Sequence, residues 1–160
     1  MRPHQIFSAM SPADSERIMG RISEETPDFF RQTVAAAAMS LKFRPQFLRK
    51  QPLAKRIAAV RRSLARPAAS SLAEELFAVY FLRCRLDLLT SWLDLLGLSH
   101  EEGVLNDAEA ICPEAAKLGE IVSSFRASKD QDCDLLLQAF ASQEAIEWPA
   151  LDALLEAKAN

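Results

Sequence analysis

Ser71–Gly97, SLAEELFAVYFLRCRLDLLTSWLDLLG, is the stretch that decides the fold class. It opens with Ser71 and Glu74 at capping-box spacing, where side chains satisfy backbone N–H groups that a first helical turn leaves open. It closes on Gly97, placed to take the left-handed conformation that stops a helix. Between these ends, Arg83, Asp87, Thr90, Ser91 and Asp94 fall in one strip of a helical wheel, and nearly all the remaining circumference is apolar. A helix apolar on most sides is stable in water only when several neighbours cover it. The pattern predicts one long helix over 71–96 at the centre of an all-α fold.

Helix signals continue on both sides of it. Ser11-Pro12 and Thr26-Pro27-Asp28 pair a capping side chain with a first-turn proline. Ile18 and Ile22 share a face, as do Phe30, Val34, Ala38 and Leu41. Ala35–Ala38 keep that helix slim enough for close approach. Pro45 and Pro52 bound a short segment, and a helix follows to about Arg66, where Pro67 breaks it. Beyond Gly97, Ser99 and Glu102 have capping-box spacing and predict a short helix. Pro113, Asp130 and Pro149 each open another, with Leu118, Ile121, Val122 and Phe125, then Cys133, Leu136 and Phe140, then Leu151, Leu154 and Leu155 facing inward. No stretch has convincing strand alternation, and no fixed-period repeat is present. The expectation is a single all-helical domain over 1–160, a compact irregular array of about six to eight helices.

Composition narrows the function classes. A chain of 160 residues with 49% hydrophobic residues can bury a core without staples. Four glycines are few for strand-and-turn folds or phosphate-cradling loops, both of which need unusual backbone angles. The three cysteines are too widely spaced for a zinc knuckle or redox pair. The longest apolar run, Leu76–Leu82, is seven residues, too short to span a bilayer, and Met1–Met10 lacks a signal-peptide core. A cytoplasmic protein with free thiols, no membrane association and no cofactor is expected.

Charge is the unusual feature. Residues 29–73 hold ten lysines and arginines and no acid, whereas residues 74–160 hold six basic and seventeen acidic residues. In the helix after Pro52, Leu53, Ile57, Val60 and Leu64 share one face, with Lys55, Arg62 and Arg66 almost opposite. Just before it, Lys42, Phe43, Arg44, Phe47, Arg49 and Lys50 interleave basic and aromatic residues. Cations there suit phosphates and the rings suit stacking on bases. A solvated or self-complementary face accounts for the same pattern and is the preferred reading, with nucleic acid second.

Other constellations fail on chemistry. Asp130, Asp132 and Asp134 alternate like the start of a calcium loop, but Leu135 and Ala141 stand where glycine and a bidentate glutamate are required. His100, Glu101 and Glu102 have no second ligand pair, so no metal site is expected. No nucleophile elbow or Ser-His-acid pattern is present. Arg85 falls on the apolar stripe with Phe81, Leu88 and Trp92; a buried guanidinium there needs carboxylates, carbonyls or a bound anion. The sequence therefore points to a non-catalytic protein-interaction or assembly module, with a protein partner or a second copy of the chain as its ligand. The alternatives are a nucleic-acid or polyanion binder using segment 42–66, and an enzyme or ligand carrier with a pocket near Arg85.

Overall fold

The computed structural model describes residues 1–107 and 109–159. Ten α-helices among them, with a 3-10 turn and a π turn, make the chain 71% helical, beside one tiny two-stranded sheet. That is an all-α fold, with more and shorter helices than the six to eight expected. Its contacts group into two compact units that divide at Cys84 and Arg85.

The first unit runs from Arg2 to Cys84. Its helices are α1 (Pro3–Ala9), α2 (Pro12–Glu25), α3 (Pro27–Ser40), α4 (Pro45–Arg49), α5 (Leu53–Leu64) and α6 (Ser70–Val79). The first four each begin on proline, whose missing N–H costs nothing in an opening turn. Ser11 caps α2 by accepting from the Asp14 N–H at 3.1 Å. The apolar faces read from the sequence are buried here: Ile18, Ile22, Phe30, Val34 and Ala38 meet Ile57, Val60 and Leu64 as α2, α3 and α5 pack together. Ala37 and Ala38 supply the slim contact. Phe7 of α1 stacks on Phe77 of α6 at 4.6 Å. Leu53 departs from expectation and is exposed, because it stands in the first turn of α5 rather than over the core.

The second unit begins at Arg85 with α7 (Leu86–Leu96), followed by α8 (Ala115–Arg126), α9 (Cys133–Ala141) and α10 (Pro149–Ala159). Trp92 of α7 packs between Phe125 and Phe140, with ring centroids 5.1 and 5.7 Å away, and Phe140 meets Trp148 at 5.3 Å. Leu118, Ile121, Val122, Cys133, Leu136 and Leu151 complete this core. Gly97 ends α7 at φ 71°, with its own N–H on the Asp94 carbonyl and the Leu98 N–H on the Leu93 carbonyl. This is the double closure that a left-handed glycine permits.

Three expectations need correction. The stretch 71–96 is helical throughout most of its length but is not one helix. After α6 the chain makes a wide π turn over Tyr80–Cys84, leaves helical angles at Arg85 (φ −136°, ψ 44°) and restarts as α7. A continuous helix would seat the Arg85 guanidinium among Phe81, Leu88 and Trp92 without partners; the break turns it toward carboxylates instead. The Ser71–Glu74 box is also unused, since a 3-10 turn (Pro67–Ala69) runs directly into α6. The helix expected at Ser99 is a hairpin, β1 (His100–Glu101) paired antiparallel with β2 (Val104–Leu105). Glu102 and Gly103 both take positive φ, 48° and 85°, the geometry of a two-residue hairpin turn, which the helical capping box cannot accommodate.

Candidate interaction surfaces

The division into units separates the charges. Residues 2–84 carry fourteen Lys and Arg against seven Asp and Glu, and residues 85–160 carry five against fifteen. The first unit is therefore +7 and the second −10 in formal charge.

On the first unit, α5 turns Ile57, Val60 and Leu64 inward and leaves Lys55 and Arg62 exposed, with Arg66 exposed just past its end. Some basic residues of this segment are committed locally. Arg56 lies 5.7 Å over the Phe30 ring and donates Nε–H to the Gln51 carbonyl. Arg61 donates to the Met10 carbonyl, Arg66 to the Ser40 carbonyl at 2.8 Å, and Arg31 pairs with Asp28. The side chains of Lys42, Arg44, Arg49, Lys50, Lys55 and Arg62 make no hydrogen bond or ion pair among the described residues, and all six residues are exposed. Among them stand Phe43, 40% exposed, and Phe47, 58% exposed, with ring centroids 6.5 Å apart. Short α4 is fixed by Pro45 at its first position and by buried Leu48, so Phe47 projects from an anchored turn. A groove of about 290 Å³ beside it is walled by Val34, Ala35 and Pro45 and edged by Arg31, Arg49 and Arg56.

On the second unit the Arg85 guanidinium is enclosed by carboxylates. Nη1 donates to Asp130 at 3.1 Å and Asp132 at 2.6 Å, Nη2 to Asp130 at 2.6 Å and Asp87 at 3.4 Å, and Nε to Asp87 at 3.3 Å. All five N–H groups are used. Hydrogen bonding to Asp130 leads the causes that raise the Arg85 pKa further, and Arg85 in turn holds the Asp87 carboxyl below the usual range. Asp130 also accepts from the Asp132 N–H at 2.9 Å, so the loop before α9 is shaped around this cation. Asp134 lies apart from it, held by Arg126 and Lys158; burial works to raise its pKa, but these two cations outweigh that and lower it. The three alternating aspartates thus face side-chain cations. An exogenous anion at Arg85 would have to displace a carboxylate.

A separate cavity of about 390 Å³ opens in the second unit. Leu96, Leu98, Leu105 and Ile111 form its apolar wall, and Asp107, Glu109 and Lys117 stand at it. Ile111 is 83% exposed and Val104 nearby in sequence 58%. His100 is elsewhere engaged, with Asp94 at 2.8 Å. Among the described residues no three His, Cys, Asp or Glu side chains converge as metal ligands, and no helix is long and apolar enough to cross a membrane.

No family model, curated protein or solved structure matches the chain.

The structure therefore keeps the seven predicted surface residues, Lys42, Arg44, Arg49, Lys50, Lys55, Arg62 and Arg66, on one unit, and places Arg85 in an ion cluster on the other. The partners Asp87, Asp130 and Asp132 and the cavity around Ile111 were not singled out for these roles from the sequence. Only the 130–132 alternation hinted at the former. Nothing in the spacing of a loop reveals the latter.

Proposed function

We propose that this chain is a non-catalytic helical interaction module whose docking face is segment 42–66, and that it takes an acidic macromolecular partner there. The observation that supports this reading is that segment 42–66 carries six cations with unengaged side chains together with the exposed pair Phe43 and Phe47. Solvent-exposed aromatics with a cationic rim combine the apolar anchor and the steering charge that protein interfaces use. The saturated Arg85 removes the motive for an interior anion site. Three free cysteines suit the cytoplasm, where we place the module.

Polyglutamate is a probe of this face. At low ionic strength it should slow amide hydrogen exchange in α4 and α5 of the full chain, and less so in the Lys55→Gln/Arg62→Gln/Arg66→Gln variant. Unchanged exchange across 42–66 would overturn the proposal. A second reading rests on the ring faces of Phe43 and Phe47: single-stranded nucleic acid, whose bases stack on such rings. It requires a labelled oligonucleotide to bind with an affinity that falls steeply with salt.

A further inference from the structure

We propose that the acidic partner is the second unit of another copy of this chain, with Phe47 of one molecule entering the cavity around Ile111 of the next. This deepens the docking reading above and rests on it.

The two surfaces are complementary in three respects. In shape, one is a projecting ring on a single fixed turn, and the other is a concavity of about 390 Å³. In polarity, each has an apolar centre: Phe47 on one side, and Leu96, Leu98, Leu105 and Ile111 on the other. In charge, the ring is flanked by Arg44, Arg49 and Lys50, and the cavity by two acids, Asp107 and Glu109, against one base, Lys117. The units behind them carry +7 and −10. Ile111 at 83% exposure and Phe47 at 58% are large apolar groups left in water by the single chain. Burying them against each other removes both from solvent. Long-range attraction between the units raises the encounter rate and sets which face meets which.

Such a contact joins different patches on the two molecules, so it is heterologous. The assembly keeps one unused ring at one end and one unused cavity at the other. Growth then continues into open chains unless the rotation closes a ring.

Complementation tests this. The full chain is run by sedimentation velocity across a concentration series at about 0.01 M and about 1 M salt, where the Debye length falls from about 30 Å to about 3 Å. The parent should form a concentration-dependent ladder of oligomers that weakens by about tenfold or more in high salt. Phe47→Ser and Ile111→Ser, both on exposed side chains, should each be folded by circular dichroism and monomeric. Mixed one to one, the intact cavity of the first variant and the intact ring of the second should form a heterodimer that grows no further. A monomeric parent at every concentration, oligomers that survive both substitutions, or a mixture that stays monomeric would each overturn the proposal. If the parent is monomeric while polyglutamate still protects 42–66, self-docking falls and the interaction module stands. If polyglutamate also leaves exchange unchanged, both fall.

Discussion

Arg85→Met would remove in one step all five hydrogen bonds that the guanidinium donates. Its three carboxylate partners are unequal. The Asp87 side chain is 75% exposed, Asp130 30% and Asp132 1%. An exposed pair is worth about 0–1 kcal/mol, so Asp87 contributes little. Deleting one partner of a buried pair costs about 3–5 kcal/mol. Asp132 is the buried carboxylate of the pair and Asp130 the partly buried one. The expected loss is therefore about 3–5 kcal/mol at neutral pH, a large part of the ~5–15 kcal/mol that holds a typical domain together. Arg85 holds the Asp87 carboxyl below its usual range, so in the parent this contribution is complete above the unfolded value of about 3.9 and is lost in acid. Arg85→Met removes that hold, so urea unfolding followed by far-ultraviolet circular dichroism should show the gap between parent and variant narrowing as pH falls from 7 to below about 4. Adding Asp132→Asn to Arg85→Met should recover part of the loss. A variant within about 1 kcal/mol of the parent at pH 7, or a gap that widens on acidification, would refute the reasoning.

Leu89→Ala in α7 should cost about 2–5 kcal/mol in the same assay, since Leu89 is 9% exposed and the core around Trp92 cannot fully close over the space. The Lys55→Gln/Arg62→Gln/Arg66→Gln variant should lose less than about 1 kcal/mol in thermal melting, because all three side chains are exposed. Asp14, Asp87 and Asp134 all titrate below the ordinary range, through Ser11 and Arg17, through Arg85, and through Lys158 and Arg126 against the pull of burial. Their contribution is complete above the unfolded value of about 3.9 and is lost as pH falls through the folded values, so the urea midpoint should drop below about pH 4. Burial raises the Cys84 and Cys112 thiols, and only Cys112 is partly exposed. A thiol reagent at neutral pH should modify Cys112 first and slowly, with Cys84 and Cys133 following only on unfolding.

Local chemistry announced most of the helices. Pro12, Pro27, Pro45 and Pro149 each stand at the first position of a helix, and Gly97 ends α7 in the left-handed conformation. The inward faces of α3, α8 and α9 followed from 3.6-residue periodicity, and so did the exposed strip of α5. Periodicity failed where a single residue overruled it. Arg85 sits in register with an apolar stripe, and only its distant partners Asp130 and Asp132 show why the chain leaves the helix there. Ser99 and Glu102 have helical capping spacing, yet Gly103 after Glu102 supports a hairpin turn, and the shorter-range signal prevailed. The basic half of the candidate interface was readable because it lies within about twenty-five residues of continuous sequence. Its proposed counterpart was not, because Leu96, Leu105 and Ile111 meet only after the hairpin and the loop behind it have folded.

Both tryptophans of the chain, Trp92 and Trp148, follow Arg85, and the sole tyrosine, Tyr80, precedes it. The two indoles are buried at 0% and 4% exposure, so their emission starts blue and moves red when water reaches them. Indole fluorescence is consequently an intrinsic reporter of the second unit alone, whereas circular dichroism averages over both. Superimposable unfolding curves from the two signals mean that the units open in one cooperative step. Separated curves would give the stability of each unit from one unlabelled sample, without cutting the chain.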